Sequence, residues 1–270
     1  METATVHPHT ARTASVNGIE MAYELRGEGP PLVLLHGFTG SSGDWAHAFD
    51  LAALARDHTV IAPDLRGHGR STNPAGTLTI RQCALDVFAL LDSLGVKTFR
   101  AVGLSFGAKC LLHLATQQPD RVESMVLVSA TPYFPEQARA IMRHMTDEGR
   151  SAEEWEEMRR RHKHGDAQIR ALWRQPRLFA ASHDDMSFTP PHLSTVTART
   201  MIVHGDRDPL YPAEIALEVH RAIPRSCLWL LPDSGHAPIF GAWKEPFARA
   251  ALAFLRGEQG ADHSAQRAAT

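Results

Sequence analysis

Ser105 stands between two glycines in Val102-Gly103-Leu104-Ser105-Phe106-Gly107-Ala108, with an apolar run on either side. A serine hydroxyl is a weak nucleophile by itself. It needs a base to take its proton and an anion to orient and charge-balance that base. Candidates for both lie downstream. Asp206 and Asp208 follow one apolar run in His204-Gly205-Asp206-Arg207-Asp208-Pro209, and His236 follows another in Pro232-Asp233-Ser234-Gly235-His236-Ala237-Pro238. The order serine, aspartate, histidine is one of the three chain orders that hydrolytic triads use. The chain has 16 histidines, and the turn after the last strand-like run singles out His236 among them. The chemistry these types could do together is acyl transfer through a covalent serine intermediate.

Such residues work only if strands and turns bring them to one edge. Residues 98–102 read as a strand and 108–115 as the first turns of a helix, with only a tight turn between them. Gly103 and Gly107 are then steric requirements, and the strained turn lifts the Ser105 hydroxyl clear of the sheet at a helix N-terminus. Residues 18–25 read as an edge strand, and 31–36, 58–62, 122–128, 200–204 and 227–231 as further strands. Residues 80–94 carry apolar side chains at helical spacing, and 212–222 form another helix. Continuous apolar strands alternating with helices predict an α/β fold with a mostly parallel sheet covered on both faces. The rhythm breaks at 133–198, where charge-rich helical segments and a Pro-containing return (188–191) replace strands. An insertion there is expected to sit above the carboxyl ends of the strands as a helical lid. The expected organisation is a core of 15–132 and 199–257, a lid of 133–198, and flexible tails at 1–14 and 258–270.

Composition narrows the class. The chain has 270 residues, 43% hydrophobic, enough to bury one large α/β core. A formal net charge of −2 gives no field to attract nucleic acid or an anionic membrane. No apolar leader or spanning stretch is present, so a cytoplasmic protein is expected. Cys83, Cys110 and Cys227 are odd in number and widely spaced, which argues against disulfides and zinc and for small buried apolar roles. Other residues read as structural. Lys109 is expected on a helix surface. His162 and His164, two apart, face different ways on a helix and make a poor metal pair. Arg159 to Lys163 look basic, but 133–198 holds ten Lys/Arg and ten Asp/Glu, so a solvated face is the better reading. No metal or cofactor is expected.

Taken together, the chain resembles the α/β-hydrolase superfamily, specifically its lidded serine-esterase-like branch, over about residues 18–256. The resemblance rests on His36-Gly37-Phe38-Thr39-Gly40-Ser41-Ser42, Asp64-Leu65-Arg66-Gly67-His68-Gly69-Arg70-Ser71, the Ser105 turn, Gly205-Asp206-Arg207-Asp208 and Gly235-His236. It implies an eight-stranded sheet and the catalytic set Ser105, Asp208 and His236. Asp208 matches the last position of G-x-x-D, leaving Asp206 as a turn former. Some relatives carry the acid after the preceding strand, but Ser129-Ala130-Thr131-Pro132 has no carboxylate there. The resemblance also implies backbone oxyanion donors at Phe38 and Phe106, and a structural role for Asp64, Arg66, Gly67 and Gly69. Gly37, Trp45, Leu104 and Tyr133 are expected to line the substrate pocket, with a buried core position the alternative for Trp45. The implied activity is hydrolysis of a small-molecule carboxylic ester without a cofactor. Lactonase, cofactor-free perhydrolase and C–C bond hydrolase chemistry use the same triad. The C–C enzymes tend to carry Asn before the serine and Met-Gly-Gly after it, where this chain has Leu104 and Phe106-Gly107-Ala108. Epoxide hydrolases and haloalkane dehalogenases need a carboxylate nucleophile, which serine at 105 excludes. A non-catalytic small-molecule receptor is the alternative from a different class.

Overall fold

The computed structural model describes residues 11–258. Its centre is an eight-stranded sheet in the order β1-β2-β4-β3-β5-β6-β7-β8. The strands are β1 (Ala11–Val16), β2 (Ile19–Arg26), β3 (Pro31–Leu35), β4 (Thr59–Pro63), β5 (Phe99–Leu104), β6 (Val122–Val128), β7 (Arg199–Gly205) and β8 (Ser226–Leu231). From β4 through β8 every neighbouring pair is parallel, while β1 and β2 run antiparallel to their partners.

The central strands are apolar on both faces, and alternation divides them between two cores. Val33, Leu35, Ile61, Ala101, Met125, Leu127 and Ile202 point to one side. There they meet α2 (Ile80–Ser93), α3 (Phe106–Gln117) and α8 (Ala213–Ala222). Leu32, Leu34, Val60, Val102, Val126, Val128 and Val203 point to the other, against α1 (Leu51–Asp57) and α9 (Lys244–Arg256). Thr79 caps α2 by accepting from the Gln82 amide, and Asp50 caps α1 through the Ala52 and Ala53 amides. Neither α1 nor α9 is among the helices expected from sequence.

The amino-terminal expectation needs correction. Residues 11–14, assigned to a flexible tail, belong to β1, which pairs along its length with β2. The strand at 19–26 is therefore interior, and β1 is the edge. The signal was Asn17-Gly18, whose φ values of 44° and 76° make the tight two-residue turn that joins antiparallel strands. Ala14 and Val16 then face inward while Thr13 and Ser15 stay exposed. Positions 1–10 and 259–270 of the expected tails lie outside the described residues.

Between β6 and β7 the chain forms α4 (Glu136–Arg143), α5 (Ala152–Arg161), α6 (Gly165–Ala181) and α7 (Pro190–Leu193). The proline return is thus a short helix, capped by the Thr189 hydroxyl on the His192 amide. The inserted segment is tied down by polar contacts. Arg139 donates to the carbonyls of Phe134, Ala180 and Ser182, joining α4 to the end of α6. Asp185 accepts from the Ile80 and Arg81 amides at the start of α2. Exposed ion pairs absorb Arg159 and Arg160, and Arg161 also reaches Asp44. Among the described residues, no helix is long and apolar enough to cross a membrane.

Candidate active site

β5 ends at Leu104 and α3 begins at Phe106, so Ser105 alone makes the turn. Its φ of 49° and ψ of −101° are strained for a side-chain-bearing residue. The Ser105 amide is held by the Val128 carbonyl and its own carbonyl accepts from the Lys109 amide. The flanking glycines are obligatory. A Cβ on Gly103 would meet the backbone of Gly107 and Ala108 at 2.7 Å, and one on Gly107 would meet the Leu35 carbonyl oxygen at 2.0 Å.

Asp208 and His236 come from the loops after β7 and β8, at the same carboxyl edge. His236 Nε2 lies 2.7 Å from Ser105 Oγ, and Nδ1 lies 2.7 Å from Asp208 Oδ2. A carboxylate only accepts, so Nδ1 carries the imidazole proton and Nε2 is left to accept from the serine hydroxyl. The other Asp208 oxygen accepts from the amides of Leu210 and Tyr211. Burial alone would raise this carboxyl. The hydrogen bond and charge of His236, with the two amides, more than offset that and hold it below the usual carboxylate range. The Asp208 side chain is fully buried, whereas His236 remains about a quarter exposed at 24%. Asp206 does not join them. Its Oδ1 accepts from the Ser234 amide, and the Arg207 amide donates to the Ser234 carbonyl, so it braces the loop that carries His236.

Facing the serine is the loop after β3. Among the described residues, neither the Phe38 nor the Phe106 amide has an intramolecular acceptor. Phe106 is also the first residue of α3, where the helix end favours negative charge. His36 fixes this loop: its Nε2 accepts from the Leu65 amide and its Nδ1 donates to the Gly37 carbonyl. Asp64 accepts from the Ser42 amide and from the Arg70 amide and guanidinium. Arg66 pairs with buried Asp86. His162, from the end of α5, is buried between two loops. Its Nδ1 accepts from the Gly69 amide and its Nε2 donates to the Thr39 carbonyl. Among the described residues, no group of three or more His, Cys, Asp or Glu side chains is arranged to hold a metal.

Ser105 and His236 open into a cavity of about 370 Å³, a size suited to a small organic molecule. Gly37 and Leu104 line it, with Phe38 and Phe106. Trp45 and Tyr133 do not. Trp45 is buried on the opposite face of the sheet, stacked on Phe49 in the α1/α9 core. The Tyr133 hydroxyl instead donates to Glu218, and the neighbouring Phe134 takes the place in the wall. The inserted segment supplies much of the remaining lining, including Met142, Leu172, Trp173 and Phe179.

Two further expectations are overturned. Lys109 is not on a helix surface but buried, donating to the Tyr211 hydroxyl at 2.8 Å on the cavity wall. The signal was its place as the one basic residue among Phe106-Gly107-Ala108-Lys109-Cys110-Leu111-Leu112, a helix turn apolar on all sides. Cys227 is exposed on edge strand β8, whereas Cys83 and Cys110 are buried.

A family model described as the alpha/beta hydrolase fold matches residues 30–147. The chain is 37% identical over 123 residues to a soluble epoxide hydrolase from Corynebacterium sp. strain C12, which covers 46% of this chain and 42% of that protein. It is 26% identical over 254 residues to a 2-hydroxymuconate semialdehyde hydrolase from Pseudomonas sp. strain CF600, covering 85% and 88%. The solved structure of a thermophilic esterase from Thermogutta terrifontis aligns at a TM-score of 0.70 and 25% identity, covering 94% of this chain and all of that one. The chain spans only 31% to 42% of the length of several curated relatives it matches. With the sheet order and the matched segment, these similarities show that the chain has the alpha/beta hydrolase fold.

Proposed function

We propose that this protein is a serine hydrolase that cleaves small-molecule carboxylic esters through an acyl-enzyme. The observation that carries the reading is the unbroken hydrogen-bonded chain from Ser105 Oγ through His236 to Asp208, with 2.7 Å at both links. In the proposed mechanism His236 Nε2 takes the Ser105 proton as Oγ attacks the ester carbonyl. The amides of Phe38 and Phe106 receive the oxyanion. Collapse breaks the acyl–oxygen bond, and His236 gives its proton to the departing alcohol. Water, deprotonated by the same nitrogen, then hydrolyses the acyl-enzyme and restores Ser105. Asp208 holds the imidazole in the tautomer the first step requires and stabilises its positive charge. The segment 133–198 acts as a lid that excludes bulk water and sets substrate shape.

Similarity over 85% of this chain to a semialdehyde hydrolase supports a second reading, C–C bond hydrolysis on the same triad. A panel of p-nitrophenyl esters of increasing acyl length separates the two. The ester reading expects turnover with a pre-steady-state burst on at least one of them. No hydrolysis of any ester, together with turnover of a vinylogous diketone, would replace it by the C–C reading.

A further inference from the structure

Among the described residues, Lys109 is the one cavity-lining cation without an anionic partner. Arg150, the other, is answered by Glu154 at 2.7 Å. The Lys109 side chain lies one helical turn past Ser105, 5% exposed, and its Nζ donates only to the neutral Tyr211 hydroxyl among the described residues. Beside it the Phe134 ring presents its face, with its centroid 4.9 Å from Nζ. The charged and titratable groups on the surrounding elements are all committed elsewhere. Asp185 holds the amides at the start of α2, and Asp208 holds His236 and two amides. Cys110, next on α3, is a neutral thiol pushed up by burial, and His236 faces Ser105. Burial lowers the Lys109 ammonium to about 8, which leaves it mostly charged at neutral pH. A buried ammonium keeping two free N–H donors toward a cavity is costly unless an anion meets it there.

We propose that Lys109 is a specificity-determining residue that receives a carboxylate on the acyl part of the substrate, so that this pocket prefers half-esters of dicarboxylic acids over neutral esters. The inference rests on the ester-cleaving reading above. The acyl part stays bonded to Ser105 through both half-reactions, so a buried cation matches it better than the alcohol, which must depart by an open path. Tyr211 aims the ammonium, and its ring also packs against that of His236, with centroids 5.2 Å apart.

The test compares mono-p-nitrophenyl adipate with p-nitrophenyl hexanoate, equal in chain length and differing in the terminal charge, for wild type, Lys109→Met, Lys109→Gln and Lys109→Arg. The wild-type ratio of kcat/KM for the charged over the neutral ester is expected to be roughly 10- to 100-fold, the worth of a hydrogen bond to a charged group. It should collapse to about one in Lys109→Met and Lys109→Gln and persist in Lys109→Arg. A merely structural lysine would lower both esters alike and leave the ratio where it was. A wild-type ratio of one or below, or a ratio unmoved by both neutral variants, overturns the proposal. Calorimetric binding of adipate against hexanoate separates its failure from that of the ester reading. If neither ester is hydrolysed but adipate binds in a Lys109-dependent way, the anion site stands and the ester reading falls. If adipate binds no better than hexanoate, the anion site falls.

Discussion

Replacing Asp208 by asparagine bears hardest on the proposed mechanism. Asp208 Oδ1 accepts from the Leu210 and Tyr211 amides at 2.8 and 3.1 Å, and Oδ2 faces His236 Nδ1 at 2.7 Å. An asparagine in the same rotamer must keep its carbonyl oxygen on the two amide donors, because its NH2 group there would set donor against donors. The NH2 then faces Nδ1, which accepts only when it carries no proton. The imidazole proton is driven to Nε2, the atom facing Ser105 Oγ, and that nitrogen no longer takes the serine proton. The expected loss in kcat is about 10⁴-fold, or roughly 5 kcal/mol of transition-state stabilisation, with KM little changed. Asp206→Asn is the control. Its Oδ1 accepts from the Ser234 amide at 3.1 Å, an asparagine oxygen accepts equally, and the loss should stay under about tenfold. Ester hydrolysis normalised by active-site titration measures both. If Asp208→Asn kept more than roughly a tenth of wild-type kcat, or if Asp206→Asn were the more damaging change, the assignment of the acid would be wrong.

Other outcomes follow from packing and charge. Gly107→Ala places a Cβ 2.0 Å from the Leu35 carbonyl oxygen, so it should cost about 3 kcal/mol or more and lower Tm on the order of 10 °C. Gly235→Ala, with nothing within 4 Å of the new Cβ, should leave Tm nearly unchanged, and equal Tm values for the two variants would contradict the steric account. Burial lowers His162 from 6.5 to about 4 and also lowers His36 and His68. The unfolded chain therefore takes up these protons first, and stability should fall as pH drops from about 6.5 towards 4. Asp64 and Asp208, held below 3.8, lose their contribution only at still lower pH. Urea midpoints at several pH values should show a shallower pH slope for His162→Gln, and an unchanged slope would refute the role given to that histidine.

The sheet was legible because its central strands are apolar runs separated by helices with clear 3.6-residue spacing, as at 80–94. Ser105, Asp208 and His236 could be picked out because each follows a strand in a turn whose residue types restrict it. What escaped was set by tertiary context. β1 is a short polar-faced edge strand whose one local signal is Asn17-Gly18. The Trp45 side chain offers no clue in sequence to which face of the sheet it joins; in the structure it packs with Phe49 below the sheet. Lys109 and His162 looked like surface residues because charge is a good guide to exposure until a polar partner is supplied from far along the chain. Those partners are Tyr211 for Lys109, and Thr39 and Gly69 for His162. The cavity wall draws on the inserted helices, whose packing depends on contacts such as Arg139 with the carboxyl end of α6, and no local pattern encodes those.

The central claim is that Ser105 is a nucleophile activated by His236. Incubation of the folded protein with a fluorophosphonate, followed by peptide mass spectrometry, tests it most directly. The account predicts a single adduct on the peptide containing Ser105, absent in Ser105→Ala and strongly slowed in His236→Ala. A folded wild-type protein that takes no label, or one labelled elsewhere with Ser105→Ala reacting as fast, would contradict it.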